Sequence, residues 1–199
     1  MSRRQLAGGQ SGDRSPHSIV AMKVLETDRL ILRRMSLEDA EFMLQLLNEP
    51  SFLRFIGDKR VRTIDDARNY ILQGPMASYE RFGFGLFLAE LKETRVPIGM
   101  CGLLKRETLQ DVDIGFAFAP RFWKQGYAAE SAAAVMAYAK DVIGLDRLAA
   151  ITSPENEKSI NVLLKLGMGF QGLIKLADDA PEVKLFTREL SEPPAVAGG

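Results

Sequence analysis

The segment from Asp113 to Glu130 constrains the fold more than any other part of the chain. In its first part small or acidic residues alternate with large apolar ones, which are Ile114, Phe116 and Phe118. A period of two predicts a β-strand with one face in a core. Pro120 would end the strand because it has no N–H to donate. An alanine-rich run, a strong helix former, begins at Gly126.

The start of this predicted helix has the properties of an anion-binding site. The first N–H groups of a helix lack intrahelical partners, and the helix dipole adds partial positive charge at the same end. A pyrophosphate fits there, and Gly126 would let it approach the backbone closely. The alternative is a strand and a helix that pack together without a ligand. Neither a Gly-x-x-x-x-Gly-Lys-Ser/Thr loop nor a Gly-x-Gly-x-x-Gly turn opens this helix.

The composition narrows the class of protein. The chain has 199 residues, of which 46% are hydrophobic and 26% charged, and this is enough for one globular domain with a full core. Its 26 basic residues equal its 26 acidic residues, which argues against broad affinity for nucleic acid or anionic membranes. One cysteine, Cys101, and one histidine, His17, are too few for a disulfide framework or a Cys/His zinc site. We expect a cytoplasmic protein without a metal.

The two ends of the chain differ in composition from its middle. Residues 1–21 are rich in Gly, Ser and Arg without a sustained apolar run, so we expect a disordered leader rather than a signal peptide. We place one folded domain at 22–190 and a flexible tail at 191–199. His17 lies in the leader, which argues against hydrolase chemistry that needs a catalytic histidine. Cys101 lies in an apolar run and is expected to be a small buried hydrophobe.

Helices are predicted on both sides of residue 50, ahead of the central strands. The signals for their ends are, in chain order, a capping box at Ser36 and Asp39, a stop at Pro50, a cap at Thr63, and a stop near Gly74 and Pro75. A short helical turn is expected at 52–56. The apolar stripes of these helices favour core packing over a role as a substrate wall.

Strand patterns lie on both sides of the helix that begins at Gly126. Before it, the runs 84–91 and 98–104 flank a polar turn and would form an antiparallel meander with the strand from Asp113. After it, a strand at 147–152 would pair parallel with that strand, because a helix connects the two. Further strands are predicted at 29–34, 169–174 and 184–188. These elements indicate an α+β fold with a mixed, mostly antiparallel, twisted sheet and flanking helices.

Two motifs resemble those of a known family. Trp-Lys-Gln-Gly-Tyr-Ala at 123–128 resembles the acyl-CoA-binding motif of the GNAT N-acetyltransferase superfamily, and in particular its ribosomal-protein N-terminal acetyltransferase branch. That branch commonly has glycine where this chain has Lys124. About thirty residues later, Asn-x-x-Ser at 156–159 and Lys-Leu-Gly-Met at 165–168 resemble the second family signature, with Met168 where Phe is usual. The resemblance covers about residues 24–190 and implies the GNAT fold.

The resemblance implies an N-acetyltransferase that moves an acetyl group from acetyl-CoA to a primary amine in a ternary complex. The amine belongs either to a protein N-terminus or to a small molecule, and the sequence does not choose between them. Two alternatives stay open, namely a catalytically silent acyl-CoA-binding regulatory module and an acyltransferase for another acyl-CoA. We expect no membrane partner, no direct nucleic-acid binding, and either a monomer or a homodimer.

The resemblance also assigns site residues. The cofactor-binding positions would be Phe116, Ala117, Phe118, Trp123, Lys124, Gln125, Gly126, Tyr127, Ala128, Ala129, Asn156 and Ser159. A backbone N–H near Phe118 would stabilise negative charge on the thioester oxygen. Many relatives have a Tyr at the position of Leu163 for the CoA sulfur, so Ser159 is the candidate here. Asp113, where relatives often carry Glu, is the candidate base, and Glu90 on a neighbouring strand is the alternative.

Overall fold

The computed structural model describes residues 22–191 and contains one eight-stranded β-sheet. The strands are β1 Lys23–Glu26, β2 Leu30–Arg33, β3 Leu86–Leu91, β4 Pro97–Leu104, β5 Val112–Phe118, β6 Arg147–Thr152, β7 Gly169–Ile174 and β8 Val183–Glu189. Their order in the sheet is β1-β2-β3-β4-β5-β6-β8-β7. Neighbours are antiparallel except β5 and β6, which are parallel. The predicted α+β fold with a mixed, mostly antiparallel sheet is confirmed.

Helices lie on both faces of this sheet. They are α1 Ala40–Leu47, α2 Pro50–Phe55, α3 Ile64–Ile71, α4 Ala77–Phe82, α5 Tyr127–Tyr138 and α6 Glu157–Lys165. Helices α5 and α6 pack on one face, where residues such as Val135 and Leu163 share a core with the sheet. Helices α1, α2 and α3 pack a second core on the opposite face, around Met43, Leu46 and Leu88, whereas Tyr79 of α4 belongs to the first core. The predicted leader and nearly all of the predicted tail lie outside the described residues, so the domain boundaries stay a prediction.

The alternation along β5 decides which of its side chains meets which core. Ile114 and Phe118 are buried in the core that contains α5. Ala117 packs against the opposite core, and a Cβ placed on Gly115 would point at Leu104 and Leu86 on that same side. The face toward α1–α3 therefore carries the small residues of β5, and the side chain of Leu104 lies directly against Gly115 on that face.

Two predicted helix ends differ from the structure. Helix α1 ends at Leu47, and Pro50 opens α2, because the first turn of a helix does not need the N–H that proline lacks. The second predicted helix does not close near Gly74. It continues through a π-helical turn, Leu72–Met76, directly into α4. The wider turn accommodates the buried ring of Pro75, which would collide with a carbonyl in a regular α-helix.

Other local predictions are confirmed. The N–H of Ser36 donates to Asp39 Oδ2 at 2.8 Å, and the hydroxyl of Thr63 accepts from the N–H of Asp66 at 3.1 Å. The strand predicted at 147–152 has the observed bounds of β6. The position of the last strand was not predicted: β8 lies between β6 and β7 and is antiparallel to both.

Two neighbouring leucines of α6 provide a test of this core. Leu163 is 1% exposed and Leu164 is 53% exposed. Leu163→Ala should lower the free energy of unfolding by about 2–5 kcal/mol, because it leaves a cavity between α6 and the sheet. Leu164→Ala should change it by less than about 0.5 kcal/mol. Urea denaturation of both variants checks the pair, and equal losses would contradict the observed orientation of α6.

Candidate active site

A gap opens in the sheet where β5 and β6 separate. Their parallel pairing includes Val112 with Leu148 and Asp113 with Ala149, and it extends no further along β5 within the part of the chain described. The N–H of Ala119 donates to the carbonyl of Ile98 on β4 at 3.0 Å. Because N–H groups alternate in direction along an antiparallel strand, those of Phe116 and Phe118 point away from β4, into the gap.

The turn that follows β5 is held in an unusual conformation. Lys124 has φ +61° and Gly126 has φ +85°, so two of three successive residues are left-handed. The indole N–H of Trp123 donates to the carbonyl of Phe118 at 2.7 Å, which fixes the turn to the end of the strand. The branch that this sequence resembles commonly has glycine at the position of Lys124, and the positive φ gives the physical reason for that preference.

Helix α5 begins directly after this turn. Its first intrahelical bond runs from the N–H of Glu130 to the carbonyl of Gly126 at 3.0 Å. The N–H groups of Tyr127, Ala128 and Ala129 precede that bond and have no carbonyl of the helix to accept them. The predicted start at Gly126 is correct to one residue, since Gly126 is the N-cap. The amides and the helix dipole together make the open end of the gap favourable for an anion.

An ion pair from the β1–β2 turn fixes this helix end, and no local sequence pattern indicates it. Arg29 Nε donates to Glu130 Oε2 at 2.7 Å, and Arg29 Nη1 donates to the carbonyl of Gln125 at 2.9 Å. The Arg29 guanidinium also lies 4.5 Å from the centre of the Tyr127 ring. Burial alone would raise the pKa of Glu130, but hydrogen bonds from Thr27 and Arg29 hold it below its ordinary value.

Helix α6 supplies the opposite wall of the gap. Asn156 is its N-cap, and Asn156 Oδ1 accepts from the N–H of Ser159 at 3.2 Å. The ammonium of Lys158 lies 4.0 Å from the centre of the Trp123 ring, a cation–π contact that joins α6 to the turn before α5. The structure therefore brings the two sequence motifs together on either side of one opening.

Asp113 lies at the closed end of the gap. It is 1% exposed, and its Oδ2 accepts from Arg106 Nε at 2.6 Å. Its Oδ1 is buried and forms no hydrogen bond of normal geometry among the described residues, although the N–H of Ile151 on β6 lies close enough to lower the pKa of the carboxyl. Burial raises the pKa of Asp113 to about 6, against the opposing effect of the Arg106 charge.

Glu90, the alternative carboxylate, lies far from Asp113. It is opposite Pro97 on β4, whereas Asp113 is opposite Leu104 at the other end of that strand. The seven residue steps from Pro97 to Leu104 span about 24 Å. The carboxylate of Glu90 is 2% exposed and forms ion pairs with Arg33 at 3.0 Å and with Arg95 at 2.7 Å. The structure therefore does not bring the two candidate bases together.

Comparison with known proteins decides the family. The profile described as an acetyltransferase (GNAT) domain matches residues 29–169, a range that contains the gap and both motifs. The chain belongs to the GNAT acetyltransferase family. YoaA of Bacillus subtilis, named an uncharacterized N-acetyltransferase, is 30% identical over 154 residues, which are 76% of this chain and 86% of YoaA.

Solved structures share the fold of this GNAT acetyltransferase. An acetyltransferase from Agrobacterium tumefaciens superposes with a TM-score of 0.72 at 22% identity, covering 94% of this chain and 99% of the other. RimL, a ribosomal L7/L12 α-N-protein acetyltransferase in complex with coenzyme A, superposes with a TM-score of 0.71 at 18% identity. That alignment covers 84% of this chain and 98% of RimL. At these sequence identities the structural similarity shows that the proteins share a fold.

Two residues of the acetyltransferase are buried in the core and do not line the gap. Cys101 is fully buried, as expected from its apolar surroundings, and burial raises the pKa of its thiol to about 12. Leu163, at the position where many relatives have a Tyr, packs into the core beneath α6.

Between residues 22 and 191, no group of three or more His, Cys, Asp or Glu side chains lies close enough together to hold a metal ion. Each helix in that range is too short or too polar to cross a membrane.

The left-handed Lys124 gives a test of the turn. This conformation costs an L-residue with a side chain about 1–2 kcal/mol, and glycine avoids that cost but loses some chain entropy on folding. Lys124→Gly should therefore raise the free energy of unfolding by about 0.5–1 kcal/mol. Lys124→Ala keeps the Cβ and should leave stability unchanged. Thermal unfolding of the ligand-free variants distinguishes the two, and a destabilised glycine variant would contradict the assigned φ.

Proposed function

We propose that this acetyltransferase moves an acetyl group from acetyl-CoA to a primary amine by direct transfer in a ternary complex. The observation that carries the proposal is the gap between β5 and β6, which leads from the free amides of α5 to the buried carboxylate of Asp113. YoaA is named an N-acetyltransferase, and RimL was solved with coenzyme A. The name of YoaA supports acetyl transfer to a nitrogen, and the RimL complex supports coenzyme A as the carrier of the acetyl group.

The dimensions of the gap suit the cofactor. The pyrophosphate would lie against the amides of 127–129, with Gln125, Gly126 and Lys124 around it, and Trp123, Asn156 and Ser159 at the sides of the opening. The pantetheine arm would continue along Phe116, Ala117 and Phe118. An extended arm of this length spans about 15 Å, and five strand residues, from Phe118 back to Ile114, span about 13 Å. The thioester would thus stop beside Asp113.

The amides of β5 and the hydroxyl of Ser159 would stabilise charge as it moves. When the amine nitrogen attacks, the thioester carbonyl becomes an oxyanion, and an N–H of Phe116 or Phe118 that points into the gap would donate to it. The C–N bond forms, the C–S bond breaks, and the electron pair of that bond leaves on sulfur. Ser159, in the first turn of α6, would donate a hydrogen bond to the departing thiolate. After the C–N bond has formed, the nitrogen loses a second proton. Transfer of that proton to the sulfur gives the amide product and CoA.

Asp113 would act as the base. An amine attacks only when it is neutral, so the ammonium must first lose a proton. Oδ1, which forms no hydrogen bond of normal geometry in the described part of the chain, would accept it, directly or through one water molecule, and a pKa of about 6 keeps the carboxylate ionised at neutral pH. The other face of β5 is covered by α5, so the acceptor would approach Asp113 from the face that carries Gly115 and Ala117.

The acceptor would be the N-terminus of a protein or a small amine. RimL is named an α-N-protein acetyltransferase, and this chain shares the Trp123 form of the first motif with that branch. Absence of membrane and nucleic-acid partners, a cytoplasmic location, and a monomeric or dimeric state remain predictions from the sequence.

Calorimetric titration followed by a thiol-release assay tests the proposed function. The protein should bind acetyl-CoA, and it should bind dephospho-CoA, which lacks the 3′-phosphate, with affinity reduced only modestly if the pyrophosphate carries the binding. CoA thiol should then appear only when an amine is added. Binding without amine-dependent release would indicate a regulatory acyl-CoA sensor, and no binding at all would remove the assignment of the gap.

Asp113→Asn tests the base. The wild-type kcat/KM should fall as the pH drops below about 6, because protonated Asp113 cannot accept a proton. The Asp113→Asn enzyme should lose about 100-fold in kcat/KM and lose this dependence near pH 6. Asp111→Asn, two residues away on the same segment, is the matched control and should keep both. If Asp113→Asn retains the acidic limb, another group produces it.

A further inference from the structure

The two edges of the sheet differ in how they are protected against pairing with another chain. Strands β1 and β7 are the first and last of the sheet, so each has one side without a neighbouring strand among residues 22–191. Such an edge presents N–H and C=O groups to a further strand, and charged side chains are a common protection against this. Strand β1 has Lys23 and Glu26 at its two ends, joined by an ion pair at 2.6 Å. Strand β7 has no charged residue.

A bulge in β7 turns two large apolar side chains to the same face of the sheet. Phe170 is opposite Phe186 of β8 and Leu173 is opposite Lys184, so three steps along β7 match two steps along β8. The extra residue is Gln171. Side chains three positions apart point to opposite faces of a regular strand. Because of the bulge, Phe170 and Leu173 instead lie on one face.

Both of these side chains are exposed although they lie next to the core. Phe170 is 53% exposed and Leu173 is 51% exposed. The ring of Phe170 packs on that of Phe186, with 5.6 Å between ring centres, and Phe186 belongs to the core that contains α5 and α6. The apolar surface of this core therefore continues to an edge strand whose main chain is open to pairing. An exposed apolar edge of this kind is a site for strand addition.

The charges at the two ends of β7 have opposite signs. Near its start lie Lys165, the last residue of α6, and Arg188 of β8, which donates to the carbonyl of Leu166. The loop 175–182, after its end, has one basic and three acidic residues, which are Lys175, Asp178, Asp179 and Glu182. None of these side chains forms an ion pair within the described part of the chain. An antiparallel pair of β7 strands brings each positive end beside a negative end, whereas a parallel pair brings like charges together.

We propose that β7 is the contact between two copies of this chain, which pair antiparallel about a two-fold axis and join their sheets into one. Such a contact is self-complementary and closes at two copies. With the axis normal to the sheet and between Gln171 and Gly172, Phe170 of each copy is opposite Leu173 of the partner subunit. The four apolar side chains then cover one another on the face that carries α6. This inference does not depend on the proposed function.

Analytical ultracentrifugation of the full chain over a range of concentrations tests the contact. The wild-type protein should sediment as a dimer, and amide hydrogen exchange at 169–174 should become slower as the dimer forms. Phe170→Lys and Leu173→Glu should each raise the dimer dissociation constant at least about tenfold, because each buries a charge without a partner. Both side chains are exposed in one chain, so far-UV circular dichroism of the variants should match that of the wild type.

Combining the two substitutions tests the register. The chain with both Phe170→Lys and Leu173→Glu should dimerise more tightly than either single variant, because the introduced ammonium of one copy lies opposite the introduced carboxylate of the other. Val142→Lys is the control and should keep the wild-type dissociation constant. It places a charge at an apolar residue that is 67% exposed, in the π-helical turn 139–143 after α5 and away from β7.

Other outcomes would overturn the proposal. A wild-type chain that stays monomeric at every concentration would show that a second copy does not cover β7. Slow exchange at 169–174 in that monomer would assign the edge to another segment of the same chain. A dimer that both single variants keep would mean that the two copies meet elsewhere. Single variants that weaken the dimer without rescue by the combination would show that the opposition of Phe170 to Leu173 is wrong.

Discussion

The structure of the site depends on the point at which β5 and β6 stop sharing hydrogen bonds. Beyond Asp113 and Ala149 the two parallel strands diverge, and the edge of β5 is left with amides that need a partner. Helix α5 connects the same two strands, so its first turn must begin at the open end of the gap that they form. One break in the ladder therefore produces a channel, places a helix dipole at its entrance and leaves an acidic side chain at its closed end.

Side chains then fix the shape that the backbone creates. The indole of Trp123 holds the turn to the end of β5, and Lys158 joins the same indole to α6 across the opening. On the opposite face of the sheet, Arg106 forms an ion pair with Asp113. The two faces of β5 thus have different neighbours: the large apolar residues pack on the core with α5, and the small residues pack on the core with α1–α3, on the side where Asp113 meets Arg106.

The parts of the fold that rest on local patterns were predictable from the sequence. The alternation at 114–118, the alanine-rich helix and the caps at Thr63 and Asn156 are each determined by a few neighbouring residues. The continuation through Pro75 was not predictable, because a π-helical turn depends on packing around the ring. Nor was the contact of Arg29 with Glu130, since it joins segments distant in sequence that only the folded sheet brings together.

The contact between Arg29 and Glu130 joins residues 101 positions apart, across most of the domain. Closing so long a loop has an entropic cost that is met only when the central strands are already in place. We therefore expect the turn at the start of α5 to be among the last parts of the chain to gain its final geometry as the protein folds. A ligand that favours this geometry draws the first two strands and the middle of the sequence into one cooperative unit, so that affinity and folding are linked over the length of the domain.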